Sequence, residues 1–263
     1  MDLQLKGKVI LVAASSSGLG YGIAEQAAAE GATVYIGSRR AAAVAEAAER
    51  IAASTGNKPY GGVLDATDPS SIKAWVQGAL DHSGRIDGLL VNAGGPPAGG
   101  FDEFDDDAWQ GAFELTLMSS VRMIRAVLPH MKKQRSGSIL TITSSSVKEP
   151  IRILLLSNVM RSGVTSLVKS LSFELAEQGI RINNIVPGRV DTARVKKLDT
   201  VAAEQSGCSY EDARMRQEKA IPMGRYGRTD EFGRAAVFLL SEAASYITGE
   251  TMIVDGGMMR TVW

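Results

Sequence analysis

The stretch from Val9 to Gly22, VILVAASSSGLGYG, constrains the fold more than any other part of this chain. An unbroken apolar run gives way to three serines, then to Gly18 and Gly20, and then to a helical pattern. A buried strand, a tight turn and the first turn of a helix follow from that order. Such a turn presents backbone N–H groups and the positive end of a helix dipole to a phosphate.

Beyond this stretch, short apolar runs alternate with longer amphipathic ones, the sequence form of strand–helix–strand units around a parallel sheet. Strands are expected at 8–14, 32–38, 60–65, 86–92, 138–143, 180–186 and 251–254. Helices are expected at about 18–30, 41–54, 69–83, 105–133, 156–178 and 229–241. Asp68 is placed to cap the third helix, with Pro69 in its first turn. The acidic FDEFDDD at 101–107 reads as a solvated helix start. Between Asp191 and Arg228 the rhythm lapses into a polar, charged insertion with helical patches, and a connection of that length inside a compact domain suggests a substrate lid. The expected architecture is therefore one doubly wound Rossmann-type α/β domain over residues 1–263, with a mostly parallel sheet and 191–228 as its lid. Right-handed crossovers bring the loops at the carboxyl ends of the strands to one edge of the sheet.

Composition excludes several classes of function. The 29 Lys and Arg balance 29 Asp and Glu, which gives no global field for nucleic acid or a membrane. One cysteine, Cys208, and two histidines, His82 and His130, offer neither a disulfide framework nor a zinc cluster. Cys208 reads as a passive residue of the insertion, and both histidines fall near helix ends, where they read as polar caps. The N-terminal residues lack the pattern of a signal peptide, and no run approaches the roughly 18 apolar residues of a membrane-spanning helix. A cytoplasmic location is expected.

In the first turn, Gly18 and Gly20 allow close approach of phosphate oxygens, and Ser15, Ser16 and Ser17 offer hydroxyls to them. The second strand ends in Gly37-Ser38-Arg39-Arg40. An acidic residue there would favour the ribose hydroxyl of NAD(H), whereas an uncharged residue followed by two guanidiniums favours the extra phosphate of NADP(H). NADP(H) is thus expected over NAD(H).

From these residues the chain resembles a short-chain dehydrogenase/reductase, similar to 3-oxoacyl thioester reductases of that family, over Lys6 to Gly257. Ala13 to Gly20 matches the family's T-G-x-x-x-G-x-G turn, with Ala13 for Thr and Ala14 for the first Gly. Val91-Asn92-Ala93-Gly94 matches N-N-A-G, and Pro187 to Thr192 matches P-G-x-x-x-T. Pro222 to Arg225 and Thr248 to Gly257 resemble the family's last segment. The resemblance implies cofactor contacts at Ser15, Ser17, Gly18, Leu19, Gly20, Ser38, Arg39, Arg40, Asp65, Ala66, Asn92, Ala93, Gly94, Arg161, Pro187, Gly188, Val190 and Thr192.

The family's reactive centre is altered here. Ser144 aligns with the catalytic serine after the fifth strand, but thirteen residues on stands Ser157, and four further Arg161, so S-N-V-M-R occupies the place of Y-x-x-x-K. Thr116 falls where the family often has Asn. Arginine can hold ribose hydroxyls and set a positive field but does not give up its proton at accessible pH. The hydroxyl of Ser157 is far less acidic than a phenol. Four proton routes stay open: a water polarised by Ser144, Ser157 and Arg161; Lys148; Tyr210 in the lid; or an enoyl or imine substrate that needs no such acid. A nucleotide-binding sensor or inactive partner subunit is the other reading. The resemblance also implies a homo-oligomer, dimer or tetramer, through the two long helices and the C-terminal strand region, and Met258, Met259 and Trp263 are compatible with burial against a neighbour.

Overall fold

The computed structural model describes residues 2–262; Trp263 lies outside the described residues. Seven strands form one all-parallel sheet: β1 (Val9–Ala13), β2 (Thr33–Ser38), β3 (Tyr60–Val63), β4 (Gly88–Val91), β5 (Gly137–Ile142), β6 (Ile180–Pro187) and β7 (Thr251–Val254). Their order is β3-β2-β1-β4-β5-β6-β7. Residues of β1 and β4 are buried throughout, which is why they read as continuous aliphatic runs rather than as alternating ones. The order reverses between β1 and β4, so a crevice opens there at the carboxyl edge of the sheet.

Helices α1 (Gly18–Ala29), α2 (Ala41–Thr55) and α3 (Pro69–Ser83) connect the first four strands. Asp68 caps α3, accepting from the Ser70 N–H at 2.8 Å, as the sequence predicts. The acidic run also behaves as expected: Asp105 caps α4 (Asp106–Ala112) through the Ala108 N–H. One face of the sheet is packed by Ile23, Ala27, Val44, Ile51, Phe232 and their neighbours, the other by Trp75, Met123, Val127, Val168 and theirs.

Three stretches differ from expectation. The long fourth helix is interrupted by a π turn at Phe113–Met118 before α5 (Ser119–Gln134). The helix after β5, α6 (Leu155–Leu175), ends in a tighter 3₁₀ turn. The charged insertion is better ordered than its composition suggests, forming α7 (Ala193–Ser206) and α8 (Tyr210–Lys219) before α9 (Thr229–Leu240). Its neck is closed by a bridge between Val190 and Gly227, with Asp191 N donating to Gly227 O at 2.8 Å and Gly227 N to Arg189 O at 2.9 Å. Inside it, the fully buried Asp199 pairs with Arg189 and accepts from the Tyr226 hydroxyl at 2.8 Å. Burial, and then the bond to Asp199, push the Tyr226 phenol up to about 12. Arg214 joins the cluster from α8, stacked 4.6 Å from the Tyr226 ring centroid and paired with Asp191 and Glu218.

Candidate functional site

All the loops singled out in the sequence leave the carboxyl ends of the strands. The turn after β1 is built on close contacts. Ala14 adopts a positive φ of 49°, a conformation that costs a non-glycine residue about 1 kcal/mol. A Cβ on Gly20 would overlap the Ala14 carbonyl oxygen. The Ser15 hydroxyl is fully buried, donating to Val12 O at 2.7 Å and accepting from Gly37 N at 3.1 Å. Ser15 therefore ties the first turn to β2, and its hydroxyl is committed to the framework. Ser16 reaches the Ser38 hydroxyl at 3.0 Å, joining the turn to the end of β2. Ser17 makes no side-chain cap on α1, which leaves the helix's first N–H groups to a ligand.

Arg39 and Arg40 follow Ser38 and are exposed. Among the described residues neither forms an ion pair. Asp65, in the turn after β3 next to Ala66, sits close enough to feel Arg39. Its carboxyl lies below the ordinary range, first because it accepts from the backbone N–H and hydroxyl of Thr67, and further because of Arg39.

The loop after β4 carries Asn92, Ala93 and Gly94, with the Asn92 amide donating to Ala14 O at 3.4 Å. A Cβ on Gly94 would meet nothing within 4 Å. A Cβ on Gly18 would face the Thr192 methyl at 3.7 Å, so the loops after β1 and β6 confront each other. Thr192 caps α7, accepting from Val195 N at 3.3 Å. Pro187 ends β6, Gly188 N donates to Val254 O at 2.9 Å, and Val190 is buried. Leu19, partly buried, packs onto the core.

Across the cleft, Ser144 stands in extended conformation after β5 and accepts from Ser146 N at 3.2 Å. On α6, the Arg161 Nε donates to the Ser157 hydroxyl at 3.1 Å and Nη1 donates to Ile142 O at 2.9 Å. These bonds fix the guanidinium beneath the loop after β4. Removal from water, and then repulsion by Arg194, lower its pKa to about 10, and at neutral pH it remains a cation. A recess of about 10 Å³, the size of a single water, is lined by Asn92, Ala93, Gly94, Thr116, Ser120 and Arg161. Thr116 sits in the π turn, buried, and its hydroxyl has no partner. π turns recur at functional sites, and this one puts Thr116 on the same recess as Arg161, which in turn bonds Ser157.

Among the other sequence candidates, the Tyr210 hydroxyl accepts from Arg214 at 3.4 Å inside the insertion. Lys148 is half-buried in the loop beyond Ser144. His82 stacks on Tyr60 with centroids 3.5 Å apart, and Cys208 is a free, half-buried thiol in the insertion. No His, Cys, Asp and Glu cluster suited to a metal occurs among the described residues, nor is any helix among them long and apolar enough to cross a membrane. A cavity of about 530 Å³ lies at the opposite, amino-terminal edge of the sheet, bordered by Lys8, Asp87, Arg181 and Tyr246; none of the residues above reaches it. Sequence reasoning missed Arg194. Its guanidinium lies against Gly95, where an added Cβ would be 2.7 Å from Cζ. Its position two residues after Thr192 was the available signal.

The fold and cleft define the doubly wound dinucleotide-binding class of α/β proteins. The chain belongs to the short-chain dehydrogenase/reductase family, an oxidoreductase family. A family model described as Enoyl-(Acyl carrier protein) reductase matches residues 13–259. The 3-oxoacyl-[acyl-carrier-protein] reductase FabG of Salmonella typhimurium is 34% identical over 258 residues, covering 97% of this chain and 99% of that protein. L-Sorbose reductase from Gluconobacter frateurii, solved with NADPH and L-sorbose, superposes with a TM-score of 0.94 at 30% identity, covering 100% of both chains. A short-chain oxidoreductase from Pseudomonas aeruginosa PAO1 described as containing an atypical catalytic center, solved with NADPH, superposes with a TM-score of 0.87 at 28% identity, covering 97% of this chain and 98% of that one.

Proposed function

We propose that this protein is an NADP(H)-dependent oxidoreductase that moves a hydride between the nicotinamide and a carbonyl/hydroxyl pair on a small or acyl substrate. The observation that carries the proposal is the convergence of the loops after β1, β4 and β6, with Ser38, Arg39 and Arg40 at the end of β2 and no acidic residue there. NADPH in the solved relatives supports it.

The residues present fit such a cofactor. Gly94 leaves open space where a side chain would intrude, Gly18 holds a left-handed conformation that favours glycine, and the uncapped start of α1 suits a pyrophosphate. Ser16, Ser38, Arg39 and Arg40 would hold the 2′-phosphate, Asp65 and Ala66 the adenine end, and Gly18 to Gly20 the pyrophosphate. Asn92 to Gly94 would line the middle, with Pro187, Gly188, Val190 and Thr192 at the nicotinamide end. When bound, NADPH supplies the hydride.

The chain's own residues act on the substrate oxygen. As the carbonyl carbon gains the hydride, the C=O π bond breaks and its electron pair moves to oxygen. The Ser144 hydroxyl, fixed by the Ser146 N–H, is free to donate to that oxygen, and Ser157 donates from the opposite helix. Arg161 holds the nicotinamide ribose and stabilises the negative charge as it develops. The proton that completes the alcohol is relayed from solvent through a water held among Ser144, Ser157 and Arg161; the hydroxide left as that water gives up its proton is stabilised by the Arg161 cation and reprotonated from solvent. The insertion 191–228 acts as the substrate lid. Assembly as a dimer or tetramer of identical chains is part of the proposal, and Val159 and Phe173, exposed on α6, are apolar positions suited to it.

A second reading follows from Ser157 and Arg161 themselves: a nucleotide-binding sensor, an inactive partner subunit, or a reductase of enoyl or imine bonds. The experiment is an NADPH fluorescence titration followed by assay of NADPH oxidation with carbonyl, enoyl and imine compounds. Turnover of carbonyl compounds supports the first reading. Tight NADPH binding without carbonyl turnover refutes it in favour of the second.

A further inference from the structure

Two cations stand at the loop after β4, and neither is neutralised. Arg161 lines the recess beneath Asn92, Ala93 and Gly94, and Arg194, on the first turn of the lid helix α7, lies against the next residue, Gly95. Arg161 is removed from water and feels repulsion from Arg194, which lowers its pKa, whereas Arg194 is exposed beside the same loop. Among the described residues neither guanidinium reaches a carboxylate. Of the other partly buried arginines, Arg122, Arg189 and Arg214 pair with Asp or Glu, and Arg181 is met by the carbonyls of Leu239, Ile247 and Ser241. The buried Thr116 hydroxyl, without a partner, faces the same recess as Arg161. Two like charges at one loop, one beneath it and one open to solvent, give a local positive field that suits an anion.

We propose that Arg194 holds a carboxylate of the substrate within the field of Arg161, so that this protein acts on oxo acids or hydroxy acids rather than on neutral carbonyl compounds. The bond from Arg161 to Ser157 and its bonds to the carbonyls of Ile142 and Thr143 keep it beneath the cleft. Arg194 rides on the lid, and its planar fork matches a carboxylate. A substrate carboxylate would draw α7 toward the loop after β4, coupling closure of the lid to the charge of the substrate. This substrate assignment rests on the NADP(H) oxidoreductase proposal, although the anion seat can be tested without it.

The test is calorimetric binding of two acid and amide pairs, acetoacetate with acetoacetamide and levulinate with levulinamide. Each is measured on the protein saturated with NADP⁺ and on the protein alone, after a direct NADPH titration. In at least one pair the acid is expected to bind at least tenfold tighter than its amide. Arg194→Gln should abolish that preference while leaving the NADPH Kd within twofold, and Arg194→Lys should retain part of it. Equal binding of acid and amide in both pairs, or no binding of either acid, overturns the proposal. So does an Arg194→Gln variant that weakens NADPH tenfold with the acid preference intact, because Arg194 would then serve a cofactor phosphate. Failure of NADPH to bind would instead refute the cofactor reading, and the acid and amide comparison on the protein alone would still decide whether the anion seat exists.

Discussion

Gly94→Ala separates folding from cofactor binding more cleanly than any other single change. A Cβ at this position meets no protein atom within 4 Å, and its φ lies outside the left-handed region. The folded chain should accept the methyl without strain, and the unfolded chain loses freedom, a gain of about 0.4–1 kcal/mol. For a domain of this size, that raises Tm by about 1–4 °C. The proposed cofactor path crosses the same space. Forcing a methyl against a bound ligand resembles overpacking, which costs about 1–3 kcal/mol, so the NADPH Kd should rise about 5- to 150-fold. Stability and affinity therefore move in opposite directions. Thermal denaturation gives the first and NADPH fluorescence titration the second. An unchanged Kd would show that the loop after β4 does not border the cofactor. A fall in Tm would show that the space around Gly94 is not open.

Arg39→Asp should weaken NADPH by about tenfold or more while leaving NADH unaffected or improved, consistent with loss of one charge-assisted contact worth about 1.5–3 kcal/mol; equal loss for both would refute the 2′-phosphate assignment. Asp199→Ala leaves Arg189 and Tyr226 without their buried partner. Breaking such a pair costs about 3–5 kcal/mol, read by calorimetry as a Tm drop of about 6–20 °C, and an unchanged Tm would show that the lid is not held this way. Because Tyr226 rises from its ordinary value near 10 to about 12, its neutral form stabilises the folded state fully below the lower value, and this stability is lost as pH climbs through the higher one. Tyr226→Phe should therefore flatten the decline of Tm over that window, and matching pH profiles would contradict the assignment. Ser157→Tyr combined with Arg161→Lys should raise carbonyl reduction by about 100-fold or more, the scale of general acid catalysis; no gain would show that the scaffold lacks more than its acid.

Much of the fold is legible in the sequence because burial dictates it locally. Val9 to Ala13 and Gly88 to Val91 are buried on both faces and can be nothing but interior strands. Asp68 and Asp105 declare helix starts through their own side chains. The π turn at Phe113–Met118, which packs against α6, leaves no such mark, since its residues are compatible with an ordinary helix. The order within the insertion was illegible for a related reason. Asp199 reads as one charge in a polar run until Arg189 and Tyr226 close over it from distant positions. In sequence Ser15 reads as a phosphate ligand alongside Ser16 and Ser17; the structure shows Val12 O and Gly37 N occupying its hydroxyl. The Ser157 and Arg161 substitutions were visible from register alone, whereas Arg194 required the lid to be placed in space.

The central claim is that a well-built NADP(H) site survives beside an altered proton-donating centre. It is tested most directly by titrating the purified protein with NADPH and with NADH, following the fluorescence of each. Saturable NADPH binding at least tenfold tighter than NADH is the predicted result. Failure of NADPH to bind, or NADH binding as tightly, would contradict it.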